Sequence, residues 1–190
     1  APAFLTCAGA ILFRGIPDLP PVPSSNATLA ASISPADDLE VCLIYHERKN
    51  EYILAKGRKD QFEMNLLETA LRETHEETGY ECVPYNVGMI TRAPVRGADV
   101  KDSPEGLPLL NAIEPFALTI RTITPAADIK LIYWFIARAT SPTLPPDASA
   151  RMPSESAFRS VWVKAGEAER WLTHEHDRNV VRKAVGLVSE

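Results

Sequence analysis

Apolar positions recur along this chain with two periods. Alternating or continuous β-branched and apolar runs predict strands over 4–13 (FLTCAGAILF, interrupted by Gly9), 39–46 (LEVCLIYH), 51–56 (EYILAK), 130–139 (KLIYWFIARA) and 158–164 (FRSVWVK). The run over 130–139 is the most apolar and is expected in the centre of a sheet. Spacings of three and four predict a helix between Asn65 and Gly79, and two short amphipathic helices over 165–173 and 177–188. Three stretches lack either period: a Pro/Ser-rich insertion at 16–37 and long loops at 91–128 and 141–154. The irregular alternation of strands and helices suggests an α/β chain, a mixed sheet covered by helices on both sides, in one domain over 1–190.

The helix over 66–78 changes this picture from architecture to chemistry. Asn65 is a good N-cap with Glu68 at the capping-box position, and Gly79 can take the left-handed conformation that ends a helix. Leu67, Ala70, Leu71, Thr74 and Thr78 fall on one side and are expected to face the core. Glu73, Glu76 and Glu77 share a separate arc, roughly 100° wide. Each like-charged pair at three or four residues costs an isolated helix about 0.2–0.5 kcal/mol. All three sit towards the C-terminal end, where the helix dipole disfavours anions. Arg72 can offset part of that cost by pairing with Glu76. Converging carboxylate oxygens suit a hard divalent cation; a solvated acidic face is the alternative.

The flanking residues decide between these. The stretch GRKDQFEMNLLETALRETHEETGY, from Gly57 to Tyr80, resembles the Nudix box, G-x5-E-x7-R-E-U-x-E-E-x-G-U with U apolar. Gly57 and Glu63 match its opening; Arg72, Glu73, Thr74, Glu76, Glu77, Gly79 and Tyr80 match its second half. Eight residues, not seven, separate Glu63 from Arg72, an insertion shared with fungal-type diphosphoinositol polyphosphate hydrolases. TCAGAILF, ILAKGRKD (with Ala55 for the usual proline), KLIYWFIA and WVKAGEAERWLT are similar to the strands and closing helix around the box. The resemblance implies the Nudix α/β/α sandwich and hydrolysis of a diphosphate linked to another moiety, with Mg²⁺ or Mn²⁺ as cofactor. It implies metal binding by Glu73, Glu76 and Glu77 with a backbone carbonyl near Gly57, proton acceptance by Glu73, and positioning by Arg72 with Glu63 as partner. It also implies a further acid from a later loop, for which Glu155 is the candidate and Glu114 the rival.

Composition sets the bounds on substrate and setting. The 190 residues are 45 % hydrophobic and 24 % charged, with a formal charge of -5 and a pI near 5.5. That balance argues against broad binding to a nucleic-acid duplex or an acidic membrane, and it leaves room for a small basic pocket. Lys56, Gly57, Arg58 and Lys59, beside the acidic helix, are expected to contact substrate phosphates; Arg14, Arg92 and Arg96 are looser candidates. With the extra box residue and by the resemblance, this basic turn implies a small, highly anionic phosphorylated substrate, with diphosphoinositol polyphosphates and diadenosine polyphosphates leading. A nucleotide-sugar or cap hydrolase, and a Nudix-like binding module without turnover, are the alternatives. No protein partner is evident. Cys7, Cys42 and Cys82 form neither a disulfide framework nor a zinc site, which suggests a reducing, cytoplasmic setting. The Asn26 sequon is a chance-level signal. His174 and His176 are expected as an exposed pair, His75 as exposed, and Trp134, Trp162 and Trp171 as core residues rather than base-stacking groups.

Overall fold

The computed structural model describes residues 3–16, 38–94, 97, 106–123, 128–141, 143 and 146–189. The Pro/Ser-rich run from 17 to 37, with Asn26, and Arg96 lie outside the described residues.

The most apolar run forms β9 (Asp128–Ala139), an interior strand of the sheet. It lies parallel to β1 (Phe4–Arg14), which is continuous through Gly9. β2 (Glu40–His46) pairs with the far end of β1 and with β10 (Phe158–Lys164), and β5 (Cys82–Pro84) pairs with β9, giving the order β10-β2-β1-β9-β5. Three short strands fill the remaining edges: β3 (Glu51–Ile53) on β2, β4 (Gly57–Arg58) on β1, and β8 (Ala117–Ile123) on β9. One parallel pair among antiparallel ones makes the sheet mixed.

The stretch 91–128 is not one loop. It carries β7 (Leu107–Ala112), which pairs with β6 (Val87–Thr91) in a second, two-stranded sheet, and then β8. The stretch 141–154 holds the 3₁₀ turn Ala148–Ala150 and the start of a second, Pro153–Glu155.

Side chains alternate across the sheet, so each face builds its own core. One face gathers Ala8, Ala10, Leu12, Phe135 and Ala137 under α1 (Leu66–Thr78). The other gathers Ile11, Phe13, Leu43, Ile132, Trp134 and Ile136 under α2 (Ala165–Trp171) and α3 (Glu175–Ser189). The result is an α/β/α sandwich. Trp134, Phe13, Leu43 and Ile132 are fully buried, each contributing about 1.5–3 kcal/mol. Trp134 also satisfies its indole N–H on Thr119 Oγ1 at 2.8 Å. Trp171, expected in the core, is 44 % exposed and meets Tyr52 edge-on instead. The three thiols are free, two of them buried. No helix among the described residues is long and apolar enough to cross a membrane.

Candidate active site

α1 is positioned by its caps and by one polar contact with the sheet. Asn65 Oδ1 accepts from the Glu68 N–H at 2.9 Å as expected, but Glu68 accepts from the Met64 N–H at 2.7 Å, one residue before the cap, so the reciprocal half of the capping box is shifted. Gly79 ends the helix at φ 75°. Midway, the hydroxyl of Thr74 accepts the Ala10 N–H of β1 at 3.1 Å, which ties helix to strand inside the core.

The buried stripe of α1 is Thr69, Ala70, Glu73, Thr74, Glu77 and Thr78, whereas Leu67 and Leu71 are half-buried. The acids were expected on an arc away from the core. Glu73 and Glu77 instead lie within it, 8 % and 5 % exposed. Backbone geometry permits this. Gly57 has no side chain, and a Cβ there would fall 1.8 Å from a Glu73 oxygen. The Lys56 N–H donates to Glu77 Oε2 at 2.8 Å.

Arg72 arranges the remaining acids. Its Nε donates to Glu63 at 2.7 Å, Nη1 to Glu73 at 2.9 Å and to Glu76 at 2.8 Å, and Nη2 to the Arg58 carbonyl at 2.8 Å. Glu63 also accepts from the Thr69 hydroxyl at 2.6 Å and the Asp60 N–H at 2.8 Å. Burial alone would raise the Glu63 pKa; the Arg72, Thr69 and Asp60 hydrogen bonds override it and bring it down to about 2. The extra residue between Glu63 and Arg72 therefore does not displace Glu63. The turn bulges outward, with Phe62 and Met64 exposed.

Three carboxylates converge: oxygens of Glu73, Glu77 and Glu155 lie within 4.8 Å of one another. Glu155 comes from the end of the second 3₁₀ turn, where it also accepts the Met152 N–H at 3.1 Å. Glu76 stands outside this trio, half-buried on Arg72. Glu114 is exposed, accepts from the Thr91 hydroxyl at 2.9 Å and is not in the trio. Burial raises the pKa of Glu73, opposed by Arg72. Burial pushes Glu77 up to about 7, against the lowering effect of Lys56, with Glu155 and Glu73 adding repulsion. Two buried acids and a third beside them carry charge that Arg72 and the Lys56 N–H only partly offset. Their oxygen-only donor set fits a hard divalent cation.

The basic residues separate into two groups. Lys56 adjoins Glu77, and Arg58 is exposed beside it. The Lys59 ammonium is taken up by the carbonyls of Asp60 and Glu63 at 3.1 and 2.5 Å, so it braces the turn rather than facing a substrate. Arg14 is not brought to the acids. It pairs with Glu40 at 2.5 Å and lies over the Trp162 ring at 4.6 Å.

Sequence reasoning missed Arg151, Lys130 and Arg121, and placed His176 in an exposed pair. Arg151 donates to the Glu77 and Thr78 carbonyls at 3.3 and 3.1 Å, placing a cation at the α1 C-terminus, where the helix dipole favours one. Lys130, Arg121 and His176 are half-buried on the α3 side of the sheet. The one signal for them was a lysine opening the most apolar strand. His174 and His176 are half-buried and stacked, 5.3 Å between ring centres, and His75 is half-buried, none of them freely exposed.

Neither a protein-family profile nor a curated protein sequence matches the chain. Solved structures do. A Nudix hydrolase from Clostridium perfringens superposes with a TM-score of 0.56 at 15 % identity, over 96 % of this chain and 97 % of that one. A Nudix hydrolase from Nitrosomonas europaea gives 0.53 at 10 % identity, over 98 % and 90 %. An Ap4A hydrolase of C. elegans, in a binary complex, gives 0.52 at 12 % identity, over 97 % and 98 %. The chain has the Nudix-hydrolase fold.

Proposed function

We propose that this protein is a Nudix-type pyrophosphohydrolase that uses Mg²⁺ or Mn²⁺ to cleave a phosphoanhydride bond in a highly anionic substrate. The observation that carries this reading is the convergence of Glu73, Glu77 and Glu155 within 4.8 Å, two of them buried. Glu73, Glu77 and Glu155 would hold the cation, with the Gly57 carbonyl as a further oxygen donor. The metal supplies charge neutralisation at the phosphoanhydride and activation of water. Arg72 holds Glu73 and Glu76 in place from one side, and Glu63 anchors Arg72.

In the reaction, water forms a new bond to one phosphorus atom as the bridging P–O bond breaks. The departing phosphate carries away the bond's electron pair. A Glu73 oxygen accepts the water's proton. Lys56 and Arg58 bind phosphate oxygens on the near side of the trio. Diphosphoinositol polyphosphates and diadenosine polyphosphates are the substrate classes this reading favours. The fold shared with the C. elegans Ap4A hydrolase supports the second. A binding module would have no use for three converging acids, two of them buried.

The test is phosphate release from a panel of diphosphate-linked compounds with Mg²⁺ or Mn²⁺. We expect turnover of a polyphosphate-bridged compound that EDTA abolishes and that Glu77→Gln reduces by about 100-fold or more. Tight binding across the panel without turnover contradicts the reading.

A further inference from the structure

The third acid of the trio reaches the site by a different route from the other two. Glu73 and Glu77 belong to the buried stripe of α1. Glu155 stands at the end of the 3₁₀ turn Pro153–Glu155, where Met152, Pro153 and Ser154 are all exposed. Burial does little to hold such a turn, and two carboxylates face its acid at close range. Like charges this near repel, so an unfastened Glu155 would swing into water.

The fastening is polar. Upstream, the Asp147 N–H donates to the Gly79 carbonyl at 2.7 Å; downstream, the Ala157 carbonyl accepts the Glu47 N–H, just past β2, at 2.9 Å. Among the described residues between them, the hydrogen bonds that reach α1 are those of Arg151. Its Nε donates to the Glu77 carbonyl at 3.3 Å and its Nη2 to the Thr78 carbonyl at 3.1 Å. The guanidinium fork thus takes up two carbonyls that the end of a helix leaves without intrahelical partners. Nη2 also donates to Ser160 Oγ at 2.8 Å, and the Ser160 hydroxyl donates in turn to the Thr78 carbonyl. That joins α1, the turn and β10 at one point. Glu155 is tied to Met152, the neighbour of Arg151, twice over. Its N–H donates to the Met152 carbonyl at 2.8 Å, and its carboxylate accepts the Met152 N–H at 3.1 Å. Arg151 therefore bonds directly to the residue that carries one acid of the trio and, through Met152, braces the residue that carries another.

We propose that Arg151 is a positioning residue for Glu155: it locks the 3₁₀ turn to the C-terminal carbonyls of α1 and so sets Glu155 against Glu77 before any cation arrives. The proposal rests on the reading of the trio as the metal centre and names a residue that acts on that centre without touching substrate. A trio ordered in advance binds its cation without the cost of first ordering the turn. Partners that orient metal ligands from outside the coordination shell are commonly worth about 10–100-fold in metal affinity. A cation that merely complements the helix dipole would stabilise α1 whether or not Glu155 is present. A positioning residue loses its effect on the metal once Glu155 is gone.

The experiment is Mn²⁺ titration of the full chain without substrate, with free Mn²⁺ read by electron paramagnetic resonance. Arg151→Met should bind Mn²⁺ about tenfold more weakly than the wild type, and Glu155→Gln at least as weakly. The double variant should bind no more weakly than Glu155→Gln alone. Additive losses, or an Arg151→Met affinity equal to the wild type's, overturn the proposal. Melting temperatures confirm that each variant is folded. Should Arg151→Met not fold, Ser160→Ala removes one of the three Arg151 bonds and should cost about threefold, again only while Glu155 is present. A second measurement needs no metal. Hydrogen exchange at the Glu155 N–H should quicken about tenfold in Arg151→Met, and an unchanged rate overturns the proposal even where no Mn²⁺ binds. No turnover is read, so the outcomes separate. Hydrolysis with additive Mn²⁺ losses removes the positioning role alone; coupled losses without hydrolysis of any substrate remove the hydrolase reading alone.

Discussion

Single residues in this site are defined by what they deny one another. Gly57 lacks a side chain because the Glu73 carboxylate occupies that space. Arg72 divides its guanidinium among Glu63, Glu73 and Glu76, so Glu76 stays out of the trio. Glu77 is left with one backbone N–H and a pKa near 7. The sign of its effect on stability follows. Its folded pKa lies above the ordinary 4.5, so the folded state holds its proton more tightly than the unfolded state. The cost of burying the charge is absent below about 4.5 and complete above about 7. The metal-free protein should therefore melt at a lower temperature than Glu77→Gln at pH 8, and the gap should close by pH 4.5. Added Mg²⁺ should raise the wild-type melting temperature at pH 8 and hardly at pH 5. Scanning calorimetry across that range checks it, and a gap independent of pH contradicts it.

Legibility also divides at this scale. Arg72, Glu73, Glu77 and Gly57 were readable because their partners lie within one short motif. Lys130, Arg121 and Arg151 were not, because each acts on residues far away in sequence. Arg121 meets His176, and Arg151 meets Thr78, only through the folded sheet.

At the scale of elements, α1 is a polar helix inserted into an apolar sandwich. Its buried stripe is threonine, alanine and glutamate, so its seat depends on directed bonds more than on area. The Thr74 hydroxyl is fully buried and is the hydrogen-bond partner of a β1 N–H within the sheet's core. Thr74→Val keeps the shape and orphans that N–H, so we expect a loss of about 1–3 kcal/mol in urea denaturation. A variant as stable as the wild type would mean that the helix is held by packing alone. The pattern of apolar positions located α1, β1, β2, β9 and β10 well, because these bury continuous or alternating runs. It missed β4, β5, β6, β7 and β8. In β8, ALTIRTI alternates half-buried with exposed positions, and Thr and Arg occupy the inner face. Its inward side chains are small or polar: Ala117 packs on the core, Thr119 accepts the Trp134 indole N–H and Arg121 meets His176, so hydrophobicity alone could not reveal it. Likewise, of the expected core side of α1, Ala70, Thr74 and Thr78 are buried and Leu67 and Leu71 half-buried, while Glu73 and Glu77 join the buried stripe because Arg72 and the Lys56 N–H receive them.

For the whole molecule, the sheet is a frame that brings opposite charges to one end. α1 delivers Glu73 and Glu77 from one layer, and the turn before β10 delivers Glu155. Strands β8 and β9 deliver Arg121 and Lys130 towards the layer that holds α3. The net charge of -5 conceals this local arrangement, in which Arg72 offsets the acids only in part. A divalent cation among the acids would complete it. The most direct test is a crystal grown with Mn²⁺, with anomalous scattering recorded at the manganese edge. The account predicts one peak with oxygens of Glu73, Glu77 and Glu155 within about 2.5 Å of it. Full occupancy of Mn²⁺ elsewhere, with those three carboxylates facing no metal, would contradict it.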